Sequence, residues 1–146
     1  MNPLQLSILT IAIIGFTTRA EPVEATPEPT KDELQLPEGE KRLRHGILLL
    51  GQLYQCMAEV SNKSAAEAAV PKIMQISEEL RQWTQTFNTL PPLSEPEALI
   101  YEERYLPIIQ KINKLIQTQA DRLGSAEYYG SRNMAAALVR LSLVGH

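Results

Sequence analysis

Between Leu43 and Leu141 the apolar residues of this chain recur every three or four positions, and nowhere does the sequence alternate with a period of two. A helix turns once in about 3.6 residues, whereas strand side chains change face at every step, so this spacing calls for helices and offers no strand. In the first segment Leu43, Ile47, Leu50, Tyr54 and Met57 form one stripe, with Leu49, Leu53, Cys56 and Val60 beside it. That helix is apolar over a wide arc and is expected to be the most buried of the set. Cys56 then reads as a small core hydrophobe.

Ser61-Asn62-Lys63 reads as a turn, and Ser64 with Glu67 has the spacing of a capping box opening a second helix. Its stripe runs Ala66, Val70, Ile73, Ile76, Leu80, Trp83 and Phe87, and it ends near Leu90-Pro91-Pro92. Ser94 and Glu97 repeat the capping-box spacing, with Pro96 in the tolerated first turn. The third helix carries Leu99, Tyr105, Ile108, Ile109, Ile112, Leu115, Ile116 and Leu123 and is expected to close at Gly124. After a single turn at Ala126 to Tyr129, Met134, Leu138 and Leu141 give a shorter fourth helix. Connections this short favour antiparallel neighbours. The expected fold is all-α: an antiparallel up-down four-helix bundle, or three helices with a fourth laid across them.

Two prolines fall inside these helices. With Ser64 as cap, Pro71 costs one backbone bond and about 3 kcal/mol relative to alanine. Starting the helix at Pro71 instead would make Val70 the cap, and valine caps poorly. Helices two and three are therefore expected to run on, kinked, since Leu106-Pro107-Ile108-Ile109 repeats the apolar-Pro pattern of Val70-Pro71. Measured from Pro91-Pro92, the two prolines lie 20 and 15 residues away. In antiparallel neighbours that is an offset of about 8 Å at 1.5 Å per residue, which would set both kinks near one level. Each proline leaves the carbonyl four residues earlier without its helical donor, at Glu67 and Glu103. One reading makes these two residues a niche for a small ligand or a cation; the other gives the carbonyls to water and the glutamates to solvent.

Residues 4–16 are an apolar run followed by Thr18-Arg19-Ala20, too short to span a bilayer comfortably, and residues 1–20 are read as a cleaved signal peptide. No Lys or Arg precedes the run, so an uncleaved N-terminal membrane anchor is the alternative. Residues 21–38, EPVEATPEPTKDELQLPE, read as a disordered Pro/Glu-rich tether, leaving 39–146 as the helical domain. Once Arg19 is removed, 13 basic residues face 17 acidic ones, a net charge of −4, which argues against a nucleic-acid binder.

Reactive constellations are hard to build from what remains. His45 and Cys56 are eleven residues apart, about 16 Å along a helix, too far for a Cys-His pair. Haem attachment and diiron ligation need Cys-x-x-Cys-His and paired Glu-x-x-His, neither of which occurs, so no cofactor is expected. Glu78-Glu79 and Glu102-Glu103 diverge by about 100° on a helix and read as solvated faces. Lys41, Arg42, Arg44 and His45 could hold an anion, though Glu38 and Glu40 stand beside them. Tyr101, Tyr105, Tyr128 and Tyr129 are the aromatic candidates for a partner surface, with core packing as the other reading.

The stretch Asn62-Lys63-Ser64-Ala65-Ala66-Glu67-Ala68-Ala69-Val70-Pro71-Lys72-Ile73, with the charged helix and Pro-Pro linker that follow, resembles a helical hairpin of small uncharacterised exported bacterial proteins. The likeness spans residues 48–116. It implies an envelope or secreted location and carries over no functional residue. The sequence thus points to a non-enzymatic, exported interaction or scaffold module, periplasmic or secreted, whose partner is another envelope or extracellular protein. A small-ligand or cation carrier using Glu67 and Glu103 is the alternative.

Overall fold

The computed structural model describes residues 38–142, apart from Leu90 and the side chain of Phe87. The expected leader, the tether up to residue 37 and the terminal His146 lie outside the described residues. Those described are all-α, with no strand among them. In order they form α1 (Glu38–Ala58), α2 (Lys63–Asn88), α3 (Glu95–Ile100), a π-helical turn (Tyr101–Tyr105), α4 (Leu106–Ser125), a short turn (Glu127–Gly130) and α5 (Arg132–Ser142). No helix among them is long and apolar enough to cross a membrane.

The wide apolar arc of α1 is explained by its neighbours: it packs against both α2 and α4, while α2 packs in addition on α5. Leu43, Leu49, Leu50, Leu53, Cys56 and Met57 are buried, whereas Ile47 and Tyr54 are only half-buried against the core edge. The second stripe is thus the deeper one. Cys56 is a free, buried thiol, and burial pushes its pKa up, which keeps it protonated and unreactive.

Close approach of α1 and α2 depends on Gly46. A methyl group there would land on the indole of Trp83, and the same indole donates its N–H to the carbonyl of Arg42 at 2.6 Å. The helix start differs from the expected capping box. The Ala65 amide donates to Asn62 Oδ1 at 2.9 Å, so Asn62 takes the capping role and the helix opens at Lys63. Glu67 is recruited elsewhere, to the start of α5. From there α2 runs unbroken through Pro71, which is exposed.

The third helix is interrupted in a way its stripe did not announce. Ser94 does cap α3, donating its backbone N–H and its hydroxyl to Glu97 Oε2 at 2.9 and 2.6 Å. Beyond Ile100 the hydrogen bonding widens to the π pattern, and the Leu106 amide reaches back to the carbonyl of Tyr101. This inserts one residue, so α4 begins afresh and Pro107 falls in its first turn, where a missing N–H costs little. Leu99, assigned above to the inward stripe, is 56% exposed, because the extra residue rotates it away from the face that holds Ile108 and Ile109.

Between α4 and α5 the chain makes a left-handed turn, with φ of 49°, 55° and 52° at Glu127, Tyr128 and Tyr129, then 75° at Gly130. Three consecutive side-chain-bearing residues in this region are costly, about 1–2 kcal/mol each. The turn is held by Tyr129 N–H to the Ala126 carbonyl at 2.9 Å and Ser131 N–H to the Tyr128 carbonyl at 3.0 Å. It aims Ser131 so that its hydroxyl accepts from the Met134 amide at 3.0 Å and opens α5.

Candidate functional site

Two polar clusters mark the two ends of α1. Near its start, the buried Tyr105 hydroxyl donates to Glu40 and accepts from Arg44 Nε at 2.9 Å; Arg44 and Arg104 also approach the Glu40 carboxylate, each at 3.6 Å. Burial, reinforced by Glu40, holds the Tyr105 phenol above its ordinary pKa, so it stays a donor. At the other end, Arg122 of α4 donates to the carbonyls of Val60 and Met57, both at 2.8 Å, and to Tyr129 Oη at 3.1 Å. One guanidinium thereby binds the carbonyls at the end of α1 and fixes the left-handed turn.

These anchors locate the residues singled out above. Glu67, near the Asn62 turn, accepts from Ser131 Oγ at 2.6 Å and Asn133 Nδ2 at 2.8 Å. Those bonds, Ser131 foremost, hold its carboxyl below the ordinary carboxylate value. Glu103 is exposed in the π turn, two residues from Tyr105 and hence at the opposite end of α1. The thirteen residues from Arg44 to Met57 correspond to about 20 Å. The structure does not bring Glu67 and Glu103 together, and the prolines do not share a level. Pro71 lies twelve residues, about 18 Å, from Trp83, whereas Pro107 adjoins Tyr105, and both aromatic rings sit on the start of α1.

The tyrosines separate likewise. Tyr101 and Tyr105 are 2% and 4% exposed, with ring centroids 6.4 Å apart, because the π turn faces both inward. They are core residues, not a partner surface. Tyr128 and Tyr129 are half-buried and pack against the core edge. Of the cations near the start of α1, Lys41 pairs with Glu38 at 3.5 Å, and Arg44 with Glu40 as above. Among the described residues no group of three or more His, Cys, Asp and Glu side chains could hold a metal ion.

What spacing alone did not bring out is a groove of about 330 Å³ between α1 and α4. Ile47, Leu48, Ile108 and Ile112 give it apolar walls, Gly51 lies in its floor, and Arg44 and Arg104 stand at one end. Leu48 is 56% exposed. A Cβ built on Gly51 would meet nothing within 4 Å. A mid-helix glycine costs about 0.5–1 kcal/mol relative to alanine, and Gly46 justifies that cost through Trp83 while Gly51 has no such intramolecular reason. The signal was present in sequence as a glycine on the same helical face as Leu48. Only the packing of α4 alongside shows that this face lines a groove.

Comparison with known proteins yields no family model, no curated protein and no solved structure that matches the chain. The functional reading therefore stands on the geometry.

Proposed function

We propose that this chain is a non-enzymatic, exported interaction module. In this reading its helices form one antiparallel up-down bundle, displayed beyond the leader on the acidic tether, and it binds a protein partner of the envelope or extracellular space in the α1–α4 groove. The observation that supports it is Gly51: a residue that weakens its helix, leaves open space where a side chain would stand, and keeps an apolar floor open beside an exposed leucine. Helix-in-groove recognition uses such surfaces, with apolar anchors at helical spacing entering from the partner. The alternative of a cation or small-ligand carrier has lost its geometric support, since its two glutamates lie at opposite ends of α1.

A photo-crosslinking amino acid placed at Gln52, on the groove, in the full chain in its native compartment tests this. The expected result is a discrete protein adduct that disappears when Gly51→Leu is added and that does not form from Gln75 on the exposed side of α2. Equal labelling from the two positions, or labelling indifferent to Gly51→Leu, would dispose of the groove as the binding face.

A further inference from the structure

Independently of the groove, we infer that the cleft between the start of α1 and the last third of α2 binds a small zwitterion, a molecule carrying a carboxylate and an ammonium on a short spacer. The cleft offers about 400 Å³ and is lined by Arg42 and His45 of α1 and by Glu79, Gln82, Trp83 and Thr86 of α2. Positions 79, 82, 83 and 86 share one face of α2, and 42 and 45 are neighbours about one turn apart on α1. Two contacts fix the walls. The Trp83 indole lies against Gly46 with no room for a methyl group between them, and its N–H is bound to the Arg42 carbonyl. A ligand therefore meets a site already in shape, with little to order on entry.

The chemistry of the ligand follows from which charges are already engaged. Lys41 is paired with Glu38, Arg44 with Glu40 and Arg81 with Glu78. Among the described residues the side chains of Arg42 and His45 make no hydrogen bond or ion pair, so the anion affinity expected of the start of α1 rests with these two. On the facing wall Glu79 Oε1 accepts from Gln75 Nε2 at 2.9 Å, and Gln82 Nε2 is turned to Glu78 at 3.0 Å. Glu79 Oε2 and the Gln82 side-chain carbonyl are left as acceptors. One guanidinium and one carboxylate thus line a single cleft without closing on each other, unlike the three pairs just named. A ligand carboxylate answers Arg42, whose planar fork binds it with two parallel hydrogen bonds, and an imidazole N–H of His45 stands beside it. A ligand ammonium answers Glu79 and the Gln82 carbonyl. A dianion would be repelled by Glu79 and a diamine by Arg42, so each wall rejects what the other alone would accept.

Trp83 is the single tryptophan of the chain, so its emission reports on the cleft directly. Titration of the full chain with diglycine at constant ionic strength, followed by emission and in parallel by calorimetry, is expected to saturate with a Kd of about 1 mM or lower. Succinate and putrescine, which each offer two charges of one sign, should bind about tenfold more weakly or worse. Arg42→Ala, which keeps the backbone carbonyl for Trp83, and Glu79→Gln should each raise the Kd for diglycine about tenfold with helical circular dichroism unchanged. Glu59→Gln, beyond the far end of α1, should leave it as it was. Should Arg42→Ala disturb the fold, Glu79→Gln and the exposed His45→Ala still decide, the latter with a loss of about threefold. Free alanine carries the same two charges closer together, so whichever of alanine and diglycine binds tighter assigns the ligand to amino acids or to peptides. The inference is overturned by no saturation with either up to about 20 mM, by succinate or putrescine binding as tightly as the better of them, or by an affinity indifferent to Arg42→Ala and Glu79→Gln.

Discussion

Arg122 shows how much one side chain can settle. Its guanidinium donates to two carbonyls at the end of α1 and to the phenol of Tyr129, three acceptors that a shorter residue would not reach, although the Met57 carbonyl would keep the Val60 amide at 3.2 Å. Arg122→Ala should destabilise the protein by about 2–3 kcal/mol, since hydrogen bonds from a charged donor are among the stronger ones and the acceptors are partly buried. Arg122→Lys should recover little, because an ammonium cannot spread its donors as the planar fork does. Urea titration followed by circular dichroism measures both, and an alanine variant within about 0.5 kcal/mol of the starting protein would show that the clasp is ornamental. Glu127 offers the opposite case: exposed, at φ 49°, with backbone strain and no packing in return. Glu127→Gly should raise stability by up to about 1 kcal/mol, the relief of a left-handed conformation less the greater freedom of unfolded glycine. A lowered melting temperature would contradict the strain argument.

Among the elements, α1 carries two glycines five residues apart that sequence alone treats alike. Gly46→Ala should cost about 1–3 kcal/mol, because the new methyl collides with the Trp83 ring and must push α2 away or break the indole bond to Arg42. Gly51→Ala should instead stabilise by about 0.5–1 kcal/mol, gaining helix propensity in open space. Paired thermal melts check the difference in sign. The π turn was hidden in the same way. Ser94 and Glu97 announced the cap of α3, and Pro107 announced a disturbance. Nothing in the spacing said that the disturbance would be absorbed by one inserted residue, turning Tyr101 and Tyr105 inward and Leu99 outward. Helix starts were likewise legible only in part: Asn62 and Ser64 both cap well in isolation, and the demand of α5 for the Glu67 carboxylate leaves Asn62 in the role.

Among the described residues, three carboxyls are held below their ordinary value of 4.5: Glu67 by Ser131 and Asn133, Glu78 by Arg81 and Gln82, down to about 2, and Glu97 by Ser94. The folded state therefore binds fewer protons than the unfolded one in this range. Their contribution is complete above about pH 5 and is lost as pH falls from 4.5 toward 2. Melting temperature should fall over that window, and Glu67→Gln should flatten part of the slope; a profile flat to pH 2 would contradict the assignment. Leu50→Asp, placing a carboxylate at a position 1% exposed, should unfold the domain, seen as lost helical circular dichroism at neutral pH. The all-α class, the inward stripes of α1 and α2, the burial of Cys56 and the cap at Ser94 were determined by the sequence itself, because helical periodicity and capping act within a few residues. The Arg122 clasp, the inward tyrosines, the separation of Glu67 from Glu103 and the groove over Gly51 were decided by tertiary structure. Each depends on which helix lies beside which and at what height, and that is set by contacts between residues some sixty positions apart.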